Sequence, residues 1–428
     1  MNFKCNSSKG NFSLKIITLA SLLLFPSCLS DKRNGDRISS INIIDRNGMT
    51  ETISEKERLE SFQKTDFLSA QPYQKVMRVY GREAGGDVRS CITSYHPNGQ
   101  VKQYLEATNN RAFGKYLEWH QNGKPKIESR VIGGIADLGT QAEESWLFDG
   151  TNKAWDIDGN LVAEISYEKG ELVGDSKYYH PNGKIWKLAT YEKNVPHGTA
   201  QTFLADGTLF QKVEYHQGEK EGLSVRYWDP EHIAYEELFE KGLLMEGKYI
   251  DRHGNLQSEI HAGAGFRSIF GRMSLQELQE YKGGIQEGLV QLFESSGKLL
   301  STHTIKQGEK EGEEISYYPS GEPKLSMMWK EGRLHGAVKT WYEDGTPESQ
   351  REMSMNHKNG HFTSWYRNGS LMFVEEYDHD KLVKGEYYRV GEKMPLSRIE
   401  KGKGIATLFD ADGNLSRKVL YQEGRPFE

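Results

Sequence analysis

Cysteine is nearly absent from this chain: Cys5, Cys28 and Cys91 are the only three in 428 residues. That excludes a disulfide framework and any zinc site built on clustered thiolates. Long apolar runs are equally scarce. The one from Leu14 to Phe25 falls short of the roughly 20 residues a membrane helix needs. Catalytic signatures are missing too: the sequence has no His-Glu-x-x-His, no phosphate-binding loop and no Gly-x-Ser-x-Gly at a strand-to-helix transition. Gly263-Ala-Gly265 lacks the preceding strand and third glycine of a dinucleotide fingerprint, so no cofactor is expected. Positive charge is not in excess, with 55 Lys and Arg against 61 Asp and Glu. An acidic chain is a poor match for nucleic acid or anionic lipid.

What is present is glycine (45), aromatics (11%) and charge (27%), with a mean hydropathy of -0.72. The mixture suits a thin β structure with much exposed surface, and it is too aromatic for a disordered chain. It is also periodic. Gly312 to Gly321, Gly336 to Gly345 and Gly360 to Gly369 repeat one pattern at a spacing of 24 residues, the mark of an array whose units cannot bury a core alone.

Turn glycines fall at Gly99, Gly123, Gly159, Gly183, Gly207, Gly254, Gly297, Gly321, Gly345, Gly369 and Gly413. Most follow Asn, Asp or Ser, which suggests two-residue hairpin turns with positive φ at both central positions. A second glycine recurs nine residues earlier, as at Gly174, Gly198 and Gly336. Five residues after it stands an aromatic: Trp119, Tyr179, Phe203, Tyr227, Phe293, Tyr317, Trp341, Trp365 and Phe409. These nine are expected to hold hairpins together. Their neighbours Trp228, Tyr318, Tyr342 and Tyr366 are expected on the opposite, uncovered face, because side chains alternate along a strand; they form the candidate binding surface.

The pattern, as in Tyr178-Tyr179-His-Pro-Asn182-Gly183 followed by Lys184 to Tyr191 and His197-Gly198, resembles the MORN-type repeats, in the bacterial short-repeat variant sometimes labelled an antitoxin family. The resemblance runs from about Tyr95 to Gly424. It implies a single-layer antiparallel sheet that binds without catalysing, and it carries over no catalytic residue. The expected fold is therefore mainly β: an elongated sheet of stacked hairpins, roughly 115 Å long at ~4.8 Å per strand, with a small α+β N-terminal cap and one short inserted helix.

Residues 1–27 read as an export signal, with Lys4 and Lys9 ahead of the apolar run and Lys15 at its start. Pro26-Ser27 before Cys28 resembles a bacterial lipoprotein signal, which implies acylation of Cys28. Removing the signal takes the net charge from -6 to -9, since three lysines and no acid are lost. Residues 28–42 read as lipid anchor and tether, and 43–90 as the cap. In the cap, Ser54-x-x-Glu57 has capping-box spacing for a helix from Ser54 to about Lys64. Residues 91–261 form the first set of repeats, with an insertion at 133–155 carrying Gly133-Gly134, Glu143-Glu144 and Trp146. Ser274-x-x-Glu277 suggests the inserted helix within 262–284, and 285–428 form the second set.

His197 and His335 occupy a turn position filled by Glu in other units. His357 and His361 straddle a turn, so no metal site is expected. The expected function is that of a non-enzymatic, envelope-anchored scaffold that binds a protein partner, or itself, through an aromatic groove. A glycan- or cell-wall-binding module is the alternative, because sugar rings stack on flat aromatic rows.

Overall fold

A computed structural model describes residues 37–82 and 85–427; Cys28 and the export-signal reading lie outside them. The described residues form one open antiparallel sheet of 34 strands and two short helices. Almost every strand pairs with the next in sequence, as hairpins stacked edge to edge must. The largest exception is at the start, where Ile38–Ile44 lies between Thr50–Ile53 and Lys75–Arg82; elsewhere Leu161–Glu168 and Leu299–Lys306 each pair with two short consecutive strands.

The cap has its own small core of Ile41, Ile43, Ile53, Leu59, Phe67 and Val76, which reaches Tyr95 and Val101 of the first repeat. Its helix spans Lys56–Phe62 and starts from Glu55 with no side-chain cap. The expected capping box on Ser54 does not form, because Ser54 lies one residue too early to bond the first turn.

The two turn types are the reverse of expectation. At the Asn-Gly and Asp-Gly sites only the glycine has positive φ. There the turn takes four residues, as where His96 and Gln100 pair and Gly99 N–H donates to His96 O at 2.8 Å. Asn98 keeps a right-handed backbone and spends its side chain on hydrogen bonds, accepting from Gln100 N and donating to Gln121 O. The two-residue turns lie at the other edge, where Lys193-Asn194 and Met355-Asn356 both have positive φ, as a mirror-image hairpin turn requires.

The inserted helix is also elsewhere. Residues 264–282 form two strands, Ala264–Phe270 and Leu275–Lys282, with Ser274 closing the turn between them through Gly271 N. Leu275 and Tyr281, six apart, share one face of the strand and pack on one core. The capping-box spacing of Ser274 and Glu277 is a coincidence of short sequence. The second helix is Thr140–Glu143, inside the 133–155 insertion. It folds Trp146 onto Tyr116, ring centres 4.7 Å apart, with the indole donating to Ile135 O at 2.9 Å.

The sheet is not flat throughout. Trp228 and Phe270 lie on strands four apart in the sheet order, a separation of ~19 Å if the sheet were planar. Their ring centres are 5.0 Å apart. Tyr366 and Phe409 meet likewise at 6.5 Å. The ribbon therefore curls twice, and each curl encloses a core: Trp228, Tyr235, Phe239, Leu244, Tyr249, Ile260 and Phe270 in the first, and Leu382, Tyr387, Ile399 and Ala406 in the second.

Both curls are drawn together at the two-residue turns. In the first, Leu244 N donates to Gly284 O, Gly284 N to Gly263 O and Gly263 N to Met245 O. In the second, Leu382, Gly424 and Gly402 form the same triangle with Gly424, Gly402 and Val383. A Cβ on Gly263 would lie 2.5 Å from Gly284 N, and one on Gly402 2.6 Å from Gly424 N. Only glycine permits turns to gather so closely.

A hydrogen-bonded ladder and two buried carboxylates as candidate functional site

The nine repeat aromatics are all half-buried. Of the four residues expected on an uncovered face, Trp228, Tyr342 and Tyr366 are buried, at 9%, 5% and 1% exposure, and Tyr318 is half-buried. The expected exposed aromatic row is therefore absent. Trp228 still lies within its strand, Glu219–Asp229, but for the tyrosines alternation fails because the preceding repeat aromatic ends its strand at a bulge, as between Thr340 and Trp341. The next residue is the first of the four-residue turn.

That turn residue reaches the following unit. Tyr318, Tyr342 and Tyr366 donate to the carbonyls of Trp341, Trp365 and Tyr388 at 2.7, 2.8 and 2.7 Å. Histidine does the same earlier in the chain: His96, His120 and His180 bond Trp119 O, Trp155 O and Phe203 O at 2.9–3.0 Å. A carbonyl only accepts, so Nε2 of each ring carries its proton. Trp228 donates to Ile250 O at 2.9 Å. Burial raises the Tyr366 hydroxyl to about 12 and keeps it a donor at any physiological pH. Where Asp156, Leu204, Asp251, Glu294 or Asp410 holds this position, the ladder is interrupted. Asp156, for example, turns back to accept from Asp158 N and Asn160 N.

The recurring carboxylates are committed to the backbone. Glu106, Glu214, Glu280 and Glu352 accept from Lys115, Leu223, Leu289 and His361 N at 2.7–3.1 Å. The repeat glycine makes room for them: a Cβ on Gly360 would meet Glu352 Oε2 at 1.9 Å. Glu221, Glu287 and Glu311 cap the two-residue turn that follows along the same edge, at Lys241, Gln307 and Glu331 N. His197 accepts from Gln217 N in the same place, but from within the strand Val195–Phe203 and not from the turn position read from the sequence. His357 pairs with Asp380 at the exposed edge. Among the described residues no three His, Cys, Asp or Glu side chains converge as metal ligands.

Two carboxylates were missed by sequence reasoning, one in each curl. Glu237 is 1% exposed. It accepts from the Tyr249 hydroxyl at 3.0 Å and binds Arg267 through Nε at 2.6 Å and Nη2 at 3.2 Å. Burial opposes the Arg267 charge, yet the Glu237 carboxylate outweighs it and holds the guanidinium above its usual value. Glu375 is 5% exposed and accepts from Tyr387 at 2.7 Å and Tyr377 at 2.9 Å. Burial holds its carboxyl above the usual range, against those hydroxyls and the Lys358 charge. The signal was a recurrence 138 residues apart: Glu237 and Gly247-Lys-Tyr249 against Glu375 and Gly385-Glu-Tyr387.

Residues 172–193, 310–331, 334–354 and 358–379 match the MORN repeat variant. The match is to the repeat alone and carries no antitoxin or lipoprotein assignment. No curated protein matches the chain. Among solved structures, a TcdB2-TccC3-TEV crystal structure aligns over 88% of this chain and 24% of its own, at 11% identity and a TM-score of 0.17. TcdB2-TccC3 without its hypervariable C-terminal region aligns over 83% and 25%, at 11% identity and 0.15. The chain thus spans about a quarter of either. Taken with the geometry, the matched segments make the chain a scaffold of stacked β-hairpins in which four units are of the MORN repeat variant.

Proposed function

We propose that the protein is a non-catalytic scaffold of the cell envelope, holding a protein partner along its ribbon. The observation that supports this most is how the recurring polar side chains are used. Tyrosines and histidines tie each unit to the next, and glutamates cap backbone amides. An extended, open sheet of this kind offers length and many similar surfaces, which suit binding to a large partner. The envelope location rests on the Lys-flanked apolar run before Cys28.

Proximity labelling by the full chain in intact cells, followed by titration of the purified partner, tests the binding reading. A saturable complex of fixed stoichiometry is expected. Binding to envelope polysaccharide with no protein complex would overturn it, as would turnover lost on a single substitution. Mass spectrometry of the mature N-terminus tests the anchor: acyl mass on Cys28 is expected, and an intact Met1 or a free thiol at Cys28 would remove it.

A further inference from the structure

Between the 133–155 insertion and the first curl, the sheet face that continues into the curl's core forms a groove across the strands. Its floor is a row of small side chains in direct register, Ser176, Ala189, Ala200 and Val213. Side chains alternate along a strand, so Tyr191 and Tyr215, two residues beyond the floor, stand on this face with Tyr167 in line before them. Tyr178 stands on the other side of the floor. With it are Trp186 and Phe210, the extra residues of two bulges. The Trp186 ring lies 6.4 Å from that of Tyr178, and the Arg226 guanidinium covers Phe210 at 4.8 Å.

The four tyrosines are half-buried and Trp186 is 47% exposed. Burial and a neighbouring phenol hold the Tyr167, Tyr178 and Tyr215 hydroxyls above their usual value with no hydrogen bond contributing, so they stay donors at physiological pH. Among the described residues no group bonds them or the Tyr191 hydroxyl between them. A single charge, Lys187, stands on this face between the ends of the groove. Phe148 closes one end against Tyr167, ring centres 5.6 Å apart. The other end is reached where Gln211 donates to the Tyr235 hydroxyl at 2.8 Å.

The stretch between the two curls has the same backbone and no such groove. Its floor row, 138 positions on, is Glu314, Met327, Val338 and Arg351, longer side chains of which two are charged. Ile305, Trp329 and Met353 take the places of Tyr167, Tyr191 and Tyr215, and the Trp329 indole is spent on Glu314 at 2.7 Å. Lys324 and Glu348 replace Trp186 and Phe210. Aromatic walls over a small floor are therefore a property of the first stretch and not of the repeat.

We propose that this groove binds a proline-rich segment of a protein partner, in the polyproline II conformation and lying along the ribbon. Tyr167, Tyr191 and Tyr215 are successively two strands apart, ~9.6 Å. One polyproline turn of three residues rises ~9.3 Å, so successive turns meet successive tyrosines. That conformation makes no internal hydrogen bonds and leaves its carbonyls for the phenol donors. Proline rings pack on the aromatic walls and, lacking an N–H, ask for no acceptor from the floor. Aromatic-lined grooves take such segments because the helix is preformed and loses little entropy. The scarcity of charge on this face matches a neutral ligand with one acid opposite Lys187. A sugar chain needs acceptors for its hydroxyls, and the floor offers no carboxylate or amide. The groove crosses four strand spacings, ~19 Å, the length of about six residues in this conformation. The proposal rests on the scaffold reading and names the chemistry of the partner.

The test uses the full chain and a fluorescent hexapeptide of proline with one central glutamate, titrated by anisotropy. Saturable binding is expected. Trp186→Ala, at an exposed position, should weaken it about tenfold, equivalent to about 1.4 kcal/mol, and leave the urea midpoint unchanged. Tyr191→Phe, which removes only a hydroxyl, should weaken it about threefold. A glycine-serine peptide of equal length with the same glutamate should not bind. Equal binding of that peptide would overturn recognition of the polyproline conformation. Unchanged affinity in both variants would overturn the assignment to this groove. Binding of a β-1,4-linked N-acetylglucosamine hexamer that Trp186→Ala abolishes, with no binding of the proline peptide, would make a glycan the occupant and overturn the proposal. No peptide binding, while the chain still forms a stoichiometric partner complex, would remove this site and leave the scaffold reading standing.

Discussion

The two curls place a buried glutamate at the same point of the same bend and neutralise it by different means. In the first, Glu237 has an arginine and one tyrosine; in the second, Glu375 has two tyrosines. The exchange is reciprocal. Phe239 of the first curl is replaced by Tyr377, which brings the second hydroxyl, and Arg267 is replaced by Ala406. The surroundings otherwise match: Lys220 lies over the Phe239 ring and Lys358 over the Tyr377 ring, each at 4.7 Å. A charged pair costs desolvation on both partners, whereas hydroxyl donors leave the carboxyl free to hold its proton. The comparison shows that the bend requires an acceptor at this point and tolerates two electrostatic solutions.

The sharpest way to break the comparison is Arg267→Ala. It leaves Glu237 buried with an uncompensated charge and should cost about 4 kcal/mol. Phe239→Tyr in that background copies the second curl and should recover about 1.5–3 kcal/mol, the worth of a hydrogen bond to a charged group. Pulse proteolysis in urea, with cleavage mapped to 232–270, reads both effects; no recovery would mean the curls are not equivalent. Next in size is the ladder. Tyr342→Ala should cost about 3 kcal/mol through loss of a buried ring, and Tyr342→Phe about 1 kcal/mol through the hydrogen bond alone. Trp341→Ala, at a half-buried position, should cost less than Tyr342→Ala. The reverse order in urea midpoints would reinstate an uncovered Tyr342.

The pH response separates the curls further. The Glu375 carboxyl lies above its ordinary value of 4.5 when folded. Its favourable contribution is complete below pH 4.5 and is lost as pH rises through the folded value. The second curl should therefore weaken as pH rises above 4.5, and Glu375→Gln should flatten that slope. Urea midpoints of the 371–409 segment across this range provide the check, and an unchanged slope in the variant would assign it to other groups. The smallest effect is at the surface, where Arg367 meets Asp412 at 3.3 Å with both side chains mostly exposed. Arg367→Ala should shift the second curl by under ~1 kcal/mol, less at high salt.

Much of the ribbon was legible in the sequence because its punctuation is chemical. Glycine at a 24-residue spacing fixes where the chain reverses, and the aromatic before each turn marks a strand end. What misled was the step from strand to turn. Alternation holds inside a strand and stops at a bulge, so Tyr342 and Tyr366 were placed on a face they do not occupy. Ser274 to Tyr281 fits a helix and a strand equally well over eight residues, and pairing with 264–270 decides between them. The curls depend on contacts between strands four apart, which no local pattern encodes. A trace was nonetheless present: the two-residue turns fall 21 residues apart at Gly242, Gly263 and Gly284, and 22 apart at Gly402 and Gly424, against 24 elsewhere.

Among the described residues the first and last strands do not return to meet each other, so no geometric closure dictates how many hairpins the ribbon holds. Excising one 24-residue unit would shorten it by two strand spacings, ~10 Å, and let the flanking units join through an interface of the same design. Length in such a molecule can be adjusted in fixed increments, as on a ruler whose graduations are single hairpins.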